Sequence, residues 1–412
     1  MPLAGARACL AAAAIYTFKS VSSWGWCMAW STVSKDLGVT KKVAHTTKTN
    51  GLTGRAPGIS TITFSPLTLF GATARCSHLH VINPHVLSQE AVIVKSLVEN
   101  YVDDVSTDFA ILSGVDDCKD FLRSYFAGTV AAGLSYLAMI NDGYTWTDHF
   151  ENLTGGATGV KTSPDFVFAG YGTGAALVES KGSRGNSTNF DKTLSDGYTR
   201  QVEPHLGSTI GGVNATHGYC VGSYMKSTTK AELRIHHTAA PVAGGGGGGG
   251  GGGATAVQSV ATVQRGNYAN ALIDAHSVGV GQSVRRGSDI KEIDFFEFRW
   301  LGEDWITGHL RLFNREFHSW SSAADARGFF ALRKSVAIAV FDAYIGAEKS
   351  AALWFDQPEE KDKDFRLAEG DEGTVFPDGL AFISEQAELA DPRPGRWERR
   401  DRRPPPRNYV FG

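Results

Sequence analysis

The 412-residue chain lacks paired cysteines, an excess of either charge and any long apolar run, and each absence excludes something. Its five cysteines, Cys9, Cys27, Cys76, Cys118 and Cys220, are odd in number, widely spaced and without a CxxC pair. That pattern supplies neither a zinc ribbon nor a disulfide framework, and it fits a reducing, cytoplasmic compartment. Lys and Arg (40) nearly balance Asp and Glu (43), so a nucleic-acid surface would have to come from local charge. No stretch of about 18 apolar residues occurs, which argues against a membrane partner. Met1 to Phe18 has the outline of a signal peptide, with Arg7 before the apolar run Ala8 to Tyr16. Lys19 follows and no small-residue cleavage pattern closes it, so export is not expected. Walker-type phosphate loops and GxSxG nucleophile elbows are also missing.

What is present divides the chain. Residues 1–60 are rich in Ser, Thr, Lys and Gly, with Trp24, Trp26 and Trp30 as anchors, and read as an N-terminal extension. Ten consecutive glycines, Gly244 to Gly253, have no side chain to bury and maximal backbone freedom, so they read as a linker. They separate a domain over 61–243 from an accessory region over 254–390, which is either a domain of its own or further elements packed on the first. Residues 391–412 carry seven arginines among five prolines and read as a disordered, extended basic tail. Such a tail could touch nucleic acid, but a solvated end is the blander expectation.

Periodicity predicts helices over Ser88–Val102 and Lys119–Ile140, followed by two short apolar strands, Pro164–Ala169 and Ala175–Ser180, around a glycine-rich turn. A helix over Asn189–Val202, against which Gly197 argues, then leads to strands Gly218–Met225 and Leu233–His237. Further on, Phe295–Trp300 reads as a strand and Phe329–Leu353 as an amphipathic helix. The order helix, two or three strands, helix, strand implies a mixed α/β core. Cys76-Ser77-His78-Leu79-His80, with His85 nearby, offers metal-ligating types, but one strand face cannot enclose an ion, so a half-buried strand is expected there. His236-His237 fails as a metal pair because adjacent strand residues face opposite sides.

The chemistry concentrates in the hairpin. Asp165 opens its first strand, and Glu179 and Lys181, two residues apart, share a face of the second. A turn centred on Gly172 without a bulge would set Asp165 opposite Glu179, with Cβ atoms about 5 Å apart. Facing carboxylates repel unless a cation lies between them, and hard oxygen ligands suit Mg²⁺, with Mn²⁺ as the alternate ion. Lys181 could orient or deprotonate a metal-bound water, or neutralise charge on a reacting phosphate. His149 and Glu151 precede the hairpin, but nothing in the sequence fixes them near it.

Pro164-Asp165 followed by Glu179-Ser180-Lys181 resembles the signature of the PD-(D/E)xK nuclease superfamily, and the stretch Ala176 to Ser183 is similar to its uncharacterised bacterial members. The resemblance implies a restriction-endonuclease-like core: a mixed central sheet flanked by helices, with a further α/β region toward the C-terminus. It implies a Mg²⁺-dependent endonuclease acting on DNA, or less readily RNA, in defence or repair, and a dimer as one assembly. Asp165 and Glu179 would bind the metal, Lys181 would be catalytic, and Gln201, beside Arg200 on the following helix, would support them. Many members add an acid from the helix before the hairpin; here only Asp120, at its far end, and the ill-placed Glu151 are available, which leaves a second metal site open.

Two other readings compete. Phe166 to Ala175 looks like a strand entering a Rossmann-type glycine loop, but only seven residues separate Gly174 from Gly182, too few for the required helix. The other reading is a catalytically inactive nucleic-acid-binding or scaffold protein that keeps the nuclease-like fold.

Overall fold

The computed structural model describes residues 30, 33–48, 52–79, 94–172, 174–185, 187–239, 260–308, 328–345, 368–370, 372–384 and 387–399. The polyglycine run, the apolar start of the chain, Trp24, Trp26, His80 and His85 lie outside the described residues, as do the starts of the 88–102 helix and the last arginines of the tail.

The described residues form a mixed α/β structure with two sheets. The first has the order β2-β1-β8-β7-β5-β4-β3. Its strands are β1 (Lys35–Val43), β2 (Thr61–Phe64), β3 (Trp146–His149), β4 (Phe166–Ala169), β5 (Ala175–Ser183), β7 (Val213–Tyr224) and β8 (Glu232–His237). A short β6 (Thr209–Ile210) pairs with β7 off this path. β3, β4 and β5 form an antiparallel meander, whereas β5 pairs parallel with β7 and β1 parallel with β8. A parallel return needs a crossover. The first crossover contains helix α4 (Ser187–Gly197) and a π-helical turn, Tyr198–Val202.

Alternation along the strands sorts the core. Phe166 and Phe168 of β4 and Ala176 and Val178 of β5 bury one face together with Leu134, Tyr136 and Leu137 of α3 (Asp120–Asn141). Val167, Ala169 and Leu177 bury the other face, against Phe190, Leu194, Tyr198 and Val202. α3 lies so close to β5 that a Cβ on Gly182 would fall 1.9 Å from the Ala127 carbonyl oxygen. Before α3 come α1 (Pro66–Cys76), capped by the Ser65 side chain, and a helical stretch, α2, over 94–101.

The second sheet is antiparallel throughout, in the order β12-β13-β14-β11-β10-β9-β15. It comprises β9 (Glu292–Trp300), β10 (Glu303–Thr307), β11 (Gly328–Arg333), β12 (Ala368–Gly370), β13 (Gly373–Val375), β14 (Leu380–Ser384) and β15 (Ala390–Glu398). With it go α5 (Ala261–Asp274), α6 (Val278–Arg286) and α7 (Lys334–Tyr344). One face of this sheet buries a small core of its own, with Phe298, Trp300, Trp305, Phe329 and Ile383, whereas the other face joins the main core. Phe376, Leu380 and Phe382 belong to the same buried cluster as Leu69, Phe70 and Tyr136. Arg75 of α1, buried, bonds to Asp378 at 2.5 Å and to Asn267 of α5 at 2.6 Å. Arg285 of α6 reaches buried Asp148 of β3 at 3.1 Å. Elements of 254–390 thus make contacts with the first region through its core and through buried ion pairs.

Four expectations need correction. The extension over 1–60 contributes β1, an interior strand, whose Lys/Thr-rich sequence hides its role because its C-terminal half is exposed. Cys76 ends α1 and Ser77 is its C-cap, so no strand face exists there. The apolar run from Phe329 begins as β11 and turns helical only at Lys334; a short run buried on both faces fits either period. The basic tail begins as β15, paired to β9 despite Pro392 and Pro394, which an edge strand tolerates. Among the described residues no helix is long and apolar enough to cross a membrane.

Candidate metal site on the β4–β5 hairpin

Gly170, Gly172 and Gly174 all take positive φ in the turn, and a Cβ on Gly174 would fall 2.4 Å from Thr216 Oγ1. The turn closes without a bulge: Phe166 pairs with Val178, Val167 with Leu177 and Phe168 with Ala176. One step further out, this register sets Asp165 opposite Glu179. Alternation gives Glu179 and Lys181 the face covered by α4, whereas Asp165, just ahead of β4, accepts from the Ser180 N–H and lines a hollow on the α3 side. The segment is a hairpin, so the glycine-loop alternative, which needs a helix after Gly174, is excluded.

The electrostatics follow from burial. Glu179 is 1% exposed, and burial followed by the neighbouring Asp165 pushes its carboxyl up to about 7, against the pull of Lys181. Burial also raises Asp165, although the Ser180 backbone N–H donates to its Oδ2 at 2.8 Å and Lys181 lowers it. Lys181 donates from Nζ to Glu179 Oε1. Burial alone would lower the ammonium, but that bond and the charge of Glu179 outweigh it and raise it. Glu179 Oε2 is buried without a well-formed hydrogen bond, its nearest polar neighbours being the Asp165 backbone N–H and carboxyl. A buried carboxylate oxygen left so poorly bonded is costly and needs an explanation.

Gly197 explains how the helix covers this site. Its missing side chain would sit 3.0 Å from Cys220 Sγ, 3.3 Å from Lys181 Cε and 3.7 Å from Glu179 Cγ. The residue that weakened the helix expectation is thus what lets α4 lie against the acids. Behind β5, Ser135 of α3 donates to Ser180 Oγ at 2.9 Å, fixing the middle residue of the Glu-Ser-Lys triplet.

Asp165 opens on the α3 side, into a hollow of about 340 Å³ lined by His149, Glu151, Phe166, Ser180 and Cys76 among others. His149 and Glu151, unplaced by the sequence, therefore line the same hollow as Asp165. Burial lowers His149 below its ordinary value, outweighing the pull of Asp148 and Glu151. Glu179 and Lys181 do not line this hollow; they lie on the α4 side, where Lys181 retains 29% side-chain exposure.

Gln201, expected beside the acids, sits in the π-helical turn and donates from Nε2 to the Ser163 carbonyl at 3.1 Å. It holds the segment leading into Asp165. His205, which no sequence pattern singles out, also binds this segment: Nδ1 accepts from the Ala157 N–H at 3.1 Å and Nε2 donates to the Thr162 carbonyl at 2.8 Å. The three described tail arginines are already engaged. Arg393 pairs with Glu297, Arg396 with Asp294 at 2.8 Å, and Arg399 with Asp289.

The donors fit a hard divalent ion in part. Two facing carboxylates, one with a poorly bonded buried oxygen, suit Mg²⁺ or Mn²⁺ completed by water. Among the described residues no group of three or more His, Cys, Asp or Glu side chains forms a ready-made metal cluster. Comparison with protein-family models, with curated proteins and with solved structures gave no match.

Proposed function

We propose that the chain is a metal-dependent nuclease of the PD-(D/E)xK type that hydrolyses phosphodiester bonds in DNA. The observation that carries this reading is the facing pair Asp165–Glu179 with its poorly bonded Oε2 and Lys181 alongside. The element order is compatible with it: α3, three meander strands, α4, and a β7 parallel to β5 give the mixed α/β arrangement read from the sequence.

In this reading Asp165 and Glu179 would hold Mg²⁺, which when bound would supply an activated water and charge neutralisation for the phosphate. Lys181, bonded to Glu179 here, would orient the attacking water or neutralise a phosphate oxygen. Ser180 N–H keeps the Asp165 carboxylate aimed across the strands, and Gln201 steadies the backbone that enters it.

The test is plasmid cleavage with Mg²⁺ by wild type, Glu179→Ala and Lys181→Ala. Each substitution lowers the rate by roughly two orders of magnitude or more if these groups act on a metal-bound water. Variants that cut like wild type sink the assignment. One observation favours the rival, non-catalytic reading: Glu179 is buried beneath α4. Under that reading the wild type binds DNA, cuts nothing in Mg²⁺ or Mn²⁺, and shows no metal-dependent stabilisation.

A further inference from the structure

Residues 154–163, between β3 and β4, form a glycine-rich loop in which Gly155, Gly156 and Gly159 take positive φ. Loops of this composition are usually loose, but this one is pinned along its length. Gly156 N–H donates to the Thr209 carbonyl at 3.0 Å, and the Thr154 carbonyl accepts from Gly211 N–H at 2.8 Å. His205, 3% exposed and 4.8 Å from the Phe150 ring, spends both ring nitrogens on the loop, at Ala157 and Thr162. A Cβ on Gly156 would fall 3.0 Å from His205 Nδ1, so the glycine permits this contact.

The rigid loop presents charge. Lys161 is exposed, four residues before Asp165, which puts its Cα within about 14 Å of that carboxylate's backbone at full extension. Thr162 Oγ1 donates to the Arg200 carbonyl at 2.6 Å, bringing exposed Arg200 alongside. Asp196 senses Arg200 but is bonded to Lys192 at 2.6 Å. Neither Lys161 nor Arg200 forms an ion pair among the described residues. Opposing them, Glu151 and Asp165 are acids that would repel a polyanion in the absence of a cation.

We propose that loop 154–163, pinned by His205, is a phosphate-backbone cradle in which Lys161 and Arg200 contact nucleic-acid phosphates adjoining the one held at Asp165–Glu179. The assignment rests on the nuclease reading and adds which surface receives the strand. Phosphates along one strand recur at short, regular intervals, so one cation four residues before Asp165 and a second tied to the same loop suit the neighbours of the scissile group. Such contacts position the strand without reading its sequence.

The test is fluorescence anisotropy of a labelled duplex oligonucleotide with full-length protein and Ca²⁺, across a salt series. The proteins are wild type, Lys161→Ala, Arg200→Ala, the double variant, and Lys291→Ala as an exposed cation beside the second sheet. Each cradle substitution should lower the slope of log K against log salt by about one and weaken binding several-fold. The double variant should lose about two, and Lys291→Ala should match wild type. Unchanged slopes in the cradle variants, or an equal loss in Lys291→Ala, overturn the cradle and leave the nuclease reading standing. A wild type that fails to bind the duplex at all overturns both.

Discussion

Glu179→Gln should make the metal-free protein more stable at pH 8, although it removes an acid from the proposed active site. The substitution keeps shape and volume but abolishes a charge that is 1% exposed and faces Asp165. Moving this carboxyl from an ordinary 4.5 to about 7 corresponds to at most about 3 kcal/mol of differential stability. Part of that returns as the lost bond from Lys181, whose partly exposed ammonium can turn to water, so a net gain of about 1–2 kcal/mol is expected. Because the folded state holds the Glu179 proton more tightly than the unfolded chain, its favourable contribution is full below pH 4.5. It fades as pH rises and is gone above about 7. Urea unfolding should therefore show wild type and variant converging at pH 4.5 and separating by pH 8. Saturating Mg²⁺ should reverse the order, since only the wild type has two carboxylates to bind it. If Glu179→Gln is instead less stable than wild type at pH 8 without metal, then Glu179 is comfortably ionised on Lys181. The pair would then have no need of a cation, and the reasoning fails.

Three further outcomes follow from the same geometry. Cleavage under limiting Mg²⁺ should fall as pH drops below about 7, because a proton on Glu179 competes with the ion, and excess Mg²⁺ should shift the profile to lower pH; a profile flat from pH 6 to pH 8 counts against it. Gly197→Ala should change stability by no more than about 1 kcal/mol, helix propensity offsetting a tight 3.0 Å contact with Cys220, yet reduce cleavage several-fold by crowding Lys181 and Glu179; equal activity would show that α4 does not set their positions. Arg75→Met should cost about 3–5 kcal/mol in urea unfolding, since it leaves Asp378 buried without its cation beside an already strained Asp274; a loss below 1 kcal/mol would mean the pair is dispensable.

The sequence made the hairpin legible because two local rules agree there. Strand alternation gives Glu179 and Lys181 one face, and a glycine turn without a bulge fixes the register that brings Asp165 across. α3 was equally readable, since a single 22-residue helix has room for its apolar period to emerge. The strand β1 was not. Its partner β8 lies about 190 residues away, and nothing in Lys35–Val43 announces a non-local parallel pairing. The same limit hid His205, whose work consists of two bonds to a loop more than 40 residues earlier. Gly197 misled for a related reason: propensity counts its cost within the helix, whereas its benefit lies in the neighbour it admits. In the second region, Phe329–Leu332 is buried on both faces, so no periodicity could separate β11 from a helix.

Arg75 and Asp378 come from positions some 300 residues apart, and the aromatic cluster around them draws on both sides of the glycine run. Neither portion, expressed alone, would inherit a finished interior; each would carry an open wound of phenylalanines and an unmatched charge. Produced together as two polypeptides, they should find each other and restore one cooperative melting transition, making the chain a natural candidate for a split reporter.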